Sequence, residues 1–307
     1  MKNKAIKCYI YGIGMQYNIL SSYLKLYEDK IQVLALVTTE PQNINRMDGK
    51  KIIRPWEMKI DELDYVIVAI KEYKEVFKIL NDMGLSDKII RSEVFSLPNF
   101  ILADYLRVKE SRPSILANSC MGGFIYNDLG LKILSPTVNM RCVNYIQFLK
   151  NYKYNLLMDI VSTDNQLPDE VPSIINDQLF SPNGVLDNSI FWQFLHSSRG
   201  SEVEKEWNRR RKRINFDNIV ALMIIMNDEE AYEFEKIPIK KKLGFYYKNL
   251  NLNSVLYTYE WENKIIRDKF DSRYTRFIHQ FYVRKIESVG KIDWIRFLNG
   301  KDDFLRF

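Results

Sequence analysis

The sequence predicts an α/β fold in two domains, and three observations carry that expectation. Apolar strand-like runs alternate with helical patterns through the first hundred residues. The chain has 307 residues, more than one core usually organises. A joint bracketed by Pro98 and Pro113, "SLPNFILADYLRVKESRPS", separates two such stretches.

Each element follows from its own pattern. The first apolar run, "IKCYIYG", ends in glycine, and Ile19, Leu20, Tyr23, Leu24 and Tyr27 follow at helical spacing. "VLALVTT" is a second strand, and a polar loop with Pro41 and Gly49 comes after it. "DYVIVAI" is a third strand. The helix behind it turns Val76, Phe77, Leu80 and Met83 to one side, with Gly84 as its cap. "KIIRSEVF" closes the set. Continuous apolar strands separated by helices imply a parallel sheet covered on both faces, hence a Rossmann-like domain over residues 1–97. Residues 98–113 read as a linker holding a short helix, and 114–307 as a second, mixed α/β domain. Its strand candidates are "SILAN", "SIFWQFL", "NIVALMIIM", "KLGFYY" and "SVLYTYEW". Helices are expected over 143–158, 201–214 and 228–236. A long one near 263–286 carries Ile266, Phe270, Tyr274, Phe277, Phe281 and Tyr282.

Composition narrows the classes. Hydrophobic residues make up 46% and charged residues 27%, enough to build cores without disulfides or metals. The formal net charge of +6 is mild over this length. It admits an anionic partner such as a nucleotide, phosphate or sugar acid without requiring nucleic acid, and none is expected. Cys8, Cys120 and Cys142 form no C-x-x-C, and two histidines are too few for most zinc sites. A reduced, cytoplasmic setting with no metal follows. The opening "MKNKAIKCYIYG" has no long apolar run, so no signal peptide is expected. Nor does any window approach the ~18 apolar residues of a membrane span. Asp-x-Asp is absent, which removes the simplest sign of metal-dependent sugar transfer.

Two strand-to-helix turns carry glycines. In "YGIGMQY", Gly12 and Gly14 follow a strand, but Tyr17 stands where a dinucleotide fingerprint wants its third glycine. Glu40 is the only acidic residue near the end of the second strand. The turn reads either as a nucleotide or nucleotide-sugar site using backbone N–H groups, or as tight packing. In "NSCMGGF", Gly122 and Gly123 open a helix behind Cys120. A helix N-terminus lowers a thiol pKa, so Cys120 and His196, at a strand end, form a conceivable nucleophile–base pair. The other reading is an inert buried cysteine. His279, inside the aromatic helix, reads as a packing residue.

The run Arg209-Arg210-Arg211-Lys212-Arg213 circles its helix rather than forming a stripe. Val203, Trp207 and Ile214 define the buried side. Arg210 and Arg213 are then the candidates to hold a phosphate or carboxylate, against a solvated face with Glu206–Arg210 support.

Two blocks, "NSCMGGFIYNDLGLKILSPT" and "FLHSSRGSEVEKEWNRRRKRIN", together resemble a bacterial exopolysaccharide-biosynthesis family of unknown function. The matching positions are Asn118, Cys120, Gly122, Gly123, Leu129, Gly130, Ser135, Pro136 and Thr137 in the first block. In the second they are Phe194, His196, Trp207, Arg210, Arg213, Ile214 and Asn215. Ser119, inserted after Asn118, and Ser197, after the histidine, depart from the pattern. The resemblance covers roughly residues 112–300 and implies a role in capsule, exopolysaccharide or related surface-glycan synthesis. The leading expectation is a transferase acting on a nucleotide-activated or phosphorylated sugar, with homo-oligomers allowed. Gly122, Gly123 and Arg210 would neutralise phosphate, His196 would move a proton, and Asn118, Ser135 and Thr137 would orient the sugar. The alternative is a non-catalytic binding or scaffold protein of a glycan-assembly complex.

Overall fold

In the computed structural model, the apolar runs form parallel sheets joined by helices. The structure describes residues 5–40, 45–163, 183–187, 189–194, 200–261, 272–285 and 289–306. The chain divides into two units. Unit 1 comprises Met1–Leu102 with Asp128–Gly130, and unit 2 comprises Ala103–Asn127 with Leu131–Phe307.

In unit 1, β1 (Ile6–Tyr11), β2 (Ile31–Val37), β4 (Lys50–Ile53), β5 (Tyr65–Val68) and β6 (Ile89–Arg91) are parallel neighbours. The sheet order is β3-β4-β2-β1-β5-β6, with the short β3 (Arg46–Met47) antiparallel to β4. Asp48 and Gly49 join that hairpin, both with positive φ (48° and 72°), the backbone that a two-residue Asp-Gly turn needs. Helix α1 (Met15–Leu24) buries Tyr17 and Leu20, whereas Ile19 faces solvent. Helix α2 (Lys74–Asp82) buries Val76 and Leu80, and Gly84 follows it in the left-handed region (φ 75°). One face of the sheet gathers Tyr9, Tyr11, Val37, Val66, Val68 and Leu80. Strand order runs outward from β1 in both directions, so the connections switch sides there. In open α/β sheets such a point is where ligands bind.

Unit 2 begins with α3 (Leu102–Ser111), inside the stretch that reads as a linker. Tyr105 and Val108 are fully buried, and Asn299 Nδ2 donates to the Asp104 carbonyl at 2.9 Å, so the helix is anchored. Then come β7 (Ser114–Ala117), α4 (Met121–Asp128), β8 (Met140–Val143), α5 (Tyr145–Lys150), α6 (Tyr152–Asn155), β9 (Val161–Thr163), β10 (Asn183–Leu186) and β11 (Ile190–Phe194). The order continues with α7 (Gly200–Arg211), β12 (Ile219–Ile224), α8 (Asp228–Lys236), β13 (Lys241–Tyr246) and β14 (Val255–Tyr257). Last come α9 (Ser272–Phe277), which runs into a π-helical turn at Ile278–Val283, and α10 (Trp294–Leu298).

Two sheets organise this unit. One is parallel, ordered β14-β13-β12-β7; the other is antiparallel, ordered β8-β11-β10-β9. The strands of the parallel sheet are the uninterrupted apolar runs, because both faces are covered; all six residues of β12 are buried. A shared core holds Phe148, Trp192, Phe194, Trp207 and Phe234. Trp207 is buried as its helical spacing demands, and its indole N–H donates to the Met158 carbonyl at 3.0 Å. Of the long aromatic helix expected near 263–286, residues 263–271 and 286 lie outside the described residues.

Candidate functional site

Strand β7 is the edge of its sheet, so its outer N–H groups need partners other than a strand. Side chains of the first motif block provide them. The Ala117 N–H donates to Thr137 Oγ1 at 3.1 Å, and the Thr137 and Ser135 hydroxyls bond each other at 3.1 Å, both fully buried. The Tyr126 hydroxyl accepts the Ile115 N–H (2.9 Å) and donates to the Pro113 carbonyl (2.8 Å). On the inner side, Asn118 bridges to β12. Its amide donates to the Ile224 carbonyl and accepts the Ile224 N–H, each at 3.0 Å.

The second block reaches the same strand. Asn215 N–H donates to Ser114 Oγ at 2.8 Å, and Arg210 donates to the Val138 carbonyl at 2.9 Å while pairing with Glu206 at 2.6 Å. Arg210 is largely buried, and that burial pulls its guanidinium below its ordinary pKa against the pull of Glu206. Arg213 buries its Nε with no hydrogen-bond partner among the described residues. Asn118 and Thr137 thus spend their bonds on the two sides of β7, Ser135 on Thr137, and Arg210 on the Val138 carbonyl and Glu206. The arginine run disperses as its spacing requires: Arg209 is exposed, and Arg211 turns to Asp159 and the Leu157 carbonyl.

The glycines after β7 act through closeness. A Cβ on Gly123 would stand 2.1 Å from Asn139 Oδ1, and one on Gly122 would only touch Ile115 and Ala117. Cys120 is part-exposed. Burial raises its pKa, and the charge of Arg141 offsets this only partly. Its expected partner, His196, lies outside the described residues.

The histidine that the structure does bring to this turn is His279. Its Nε2 lies 3.3 Å from Ser119 Oγ, and Ser119 is itself buried and accepts the Met121 N–H at 3.3 Å. Phe124 presents an edge-on ring contact to the imidazole, centroids 5.2 Å apart. Burial, then the charge of Arg141 on β8, pushes the His279 pKa down to about 4, so the ring is neutral at pH 7. In sequence, aromatic spacing marks His279 as packing, and Ser119 reads as an insertion. The π-helical turn at His279, a feature frequent at functional sites, leaves no trace in sequence spacing.

A cleft of about 650 Å³ opens where β7 and β12 end. Asn118, Asn144, Gln147, Asn227, Glu229 and Glu230 line it, with Lys150 and Glu233 paired at 2.7 Å. Hydrogen bonds from Lys150 and Lys236 bring the Glu233 pKa down to about 2. Amides and carboxylates stand on this wall among apolar residues such as Val143, Ile146, Met223 and Met226, and they offer partners to ligand hydroxyl groups.

In unit 1, Gly12 has φ 109°, and a Cβ there would sit 2.4 Å from the Ala69 carbonyl oxygen. Nothing lies within 4 Å of the corresponding position at Gly14. Tyr17 turns away and donates to Asp48 at 2.8 Å beside a cavity of about 780 Å³ lined by Ser21, Lys25, Glu28 and Lys50. Glu40 is exposed, and its own N–H donates to Thr38 Oγ1 at 3.2 Å. Among the described residues no group of three or more His, Cys, Asp or Glu could hold a metal ion. None of their helices is long and apolar enough to cross a membrane.

Comparison with known proteins adds the family. The model of the domain of unknown function DUF1919 matches residues 92–296, and that of the C2185-like N-terminal domain matches residues 4–90. An uncharacterized protein of Haemophilus influenzae (strain ATCC 51907 / DSM 11121 / KW20 / Rd) is 21% identical over 140 residues. The alignment covers 44% of this chain and 62% of that relative, less than two thirds of its length. A crystal structure of aspartate semialdehyde dehydrogenase II from Vibrio cholerae aligns over 72% of this chain and 69% of that one. At 12% identity and a TM-score of 0.25, that likeness bears on neither fold nor chemistry.

Proposed function

The chain belongs to the DUF1919 family, and we propose that it serves bacterial surface-glycan assembly by binding a sugar in the cleft at the ends of β7 and β12. The cleft carries this reading. It lies at the carboxyl end of a parallel sheet, where open α/β folds receive ligands, and its wall offers amides and carboxylates to hydroxyl groups. A nucleotide-activated or phosphorylated sugar is the substrate class and transfer the reaction class, in the setting of the cytoplasm.

Calorimetry with neutral saccharides, sugar phosphates and nucleotide sugars tests it. Glu229 is an exposed residue of the cleft wall, and no described residue engages it by hydrogen bond or ion pair. A sugar-bearing ligand is expected to bind and to lose at least about tenfold in affinity in Glu229→Lys, on the order of 1.4 kcal/mol. Binding that ignores Glu229→Lys, or no binding across the panel, sinks the reading.

One observation favours a second reading. Asn118, Ser135, Thr137 and Arg210 spend their hydrogen bonds on the fold, as residues of a non-catalytic binding or scaffold protein would. That reading gains if the panel fails.

A further inference from the structure

The cavity in unit 1 belongs neither to a glycine turn nor to the sugar cleft. It runs along one flank of α1, beside β2 and the β3–β4 hairpin, and its volume of about 780 Å³ is that of a small-molecule pocket. Gly12 and Gly14 are not part of its wall. Chain order explains the opening. Right-handed crossovers place the β1-to-β2 and β2-to-β4 connections on the same face of the sheet. A helix usually covers each crossover of a parallel sheet. Here α1 covers the first, but the described residues of the second supply only β3 and its turn. The apolar surface beside α1 is left to the cavity, lined by Ile10, Ile31 and Val33 from the strands and Leu24 from the helix. The wall is preformed, because the Tyr17 hydroxyl ties α1 to Asp48 in the hairpin turn at 2.8 Å.

Charges stand around that apolar floor. Lys25 and Glu28 come from the α1 side, and Asp48 and Lys50 from the hairpin. Asp48 is taken by Tyr17. Among the described residues, no hydrogen bond or ion pair engages the side chains of Lys25, Lys50 or Glu28. The uncommitted charges are therefore two ammoniums against one carboxylate.

We propose that this cavity binds a small organic anion with an apolar body. The body lies on Ile10, Leu24, Ile31 and Val33, and Lys25 and Lys50, one from each wall, take the anionic group. Removing the body from water supplies affinity in proportion to its apolar area. An ammonium is a compact charge with three rotatable donors, so it accepts a carboxylate, sulfonate or phosphate alike. A bare inorganic anion leaves the floor unused, and a neutral apolar molecule leaves both ammoniums uncommitted. The site therefore favours a ligand that joins the two properties.

Anilinonaphthalene sulfonate, an aromatic body with one anionic group, is the probe, and its fluorescence on the intact chain reports binding. N-phenylnaphthylamine has the same rings without the sulfonate and serves as the neutral control. Saturable binding of the sulfonate is expected, about tenfold tighter than that of the neutral control. Lys25→Ala and Lys50→Ala, both at exposed positions, should each weaken it several-fold. Ser21→Trp places an indole in the cavity and should abolish it. If Ser21→Trp does not fold, the two lysine variants decide. Competition then separates the sources of such an anion: displacement by decanoate assigns an acyl body, and displacement by adenosine monophosphate a planar one. The proposal is overturned if the sulfonate does not saturate, if the neutral control binds as well, if the lysine and Ser21 variants bind as the native chain does, or if neither competitor displaces the probe. The site stands apart from the glycan reading: Glu229→Lys is expected to leave probe binding unchanged.

Discussion

The turns after β1 and after β7 share an outline: a parallel strand, two glycines and a helix. They differ in what surrounds them. After β1, Gly12 is pressed against the Ala69 carbonyl, its N–H goes to the Val37 carbonyl at 2.8 Å, and Tyr17 points away to Asp48. After β7, Gly123 is pressed against Asn139, but Ser119 on the same turn meets His279 at 3.3 Å. Glycine spacing reports how closely two pieces of backbone approach. Whether chemistry accompanies that approach depends on side chains delivered from other strands and helices.

The sharpest test of the β1 turn as packing is Gly12→Ala. The positive φ and the backbone oxygen leave a methyl group nowhere to go, and a loss of about 4 kcal/mol is expected in urea denaturation. A loss below ~1 kcal/mol would mean the turn has room to spare. For the β7 turn, Asn118→Ala removes both bonds to Ile224 and leaves a buried N–H and carbonyl unpaired. About 3 kcal/mol should be lost, whatever happens to ligand binding. If Asn118→Ala is stable and only binding suffers, Asn118 belongs to a site rather than to the strand.

His279 gives a pH signature that the β1 turn lacks. Unfolded, its imidazole takes up a proton near pH 6.5; folded, only near 4. Between those values the unfolded chain binds more protons, so this contribution to stability is full above about pH 6.5 and is lost as pH falls toward 4. Denaturation midpoints measured across that window should reveal about 2 kcal/mol of pH dependence, discounted for the part-exposed ring, and His279→Gln should remove it. An identical profile in the variant would place the imidazole in solvent. The smallest effect belongs to Gly14, which has no crowding and caps α1 without a side-chain bond. Gly14→Ser is expected to raise stability in urea denaturation slightly, by less than ~1 kcal/mol, through an added N-cap hydrogen bond.

Strands buried on both faces were legible because nothing interrupts their apolar runs: "NIVALMIIM" contains β12 and "KLGFYY" ends β13. Of the antiparallel sheet only β11, within "SIFWQFL", was legible. "MRCV", "VST" and "NGVL" are short and mixed, and the pairing of the first two joins residues far apart in sequence. "KKII" was lost in a polar loop for the same reason. Ser135 and Thr137 read as sugar-binding hydroxyls, but a hydroxyl serving an edge strand and one serving a substrate look alike in a string of letters. His279 was masked by its neighbours, since Tyr274, Phe277, Phe281 and Tyr282 make the whole segment read as core.

The hydroxyl clasp on β7 also governs what this sheet will not do. An open strand edge is an invitation for another chain to add itself. With Thr137 and Tyr126 already occupying the outward N–H groups of Ala117 and Ile115, that invitation is withdrawn without a covering strand. Residues selected to close the edge thus protect the chain from its own copies, and a variant stripped of both hydroxyls would be recognised first by its tendency to form β-rich aggregates.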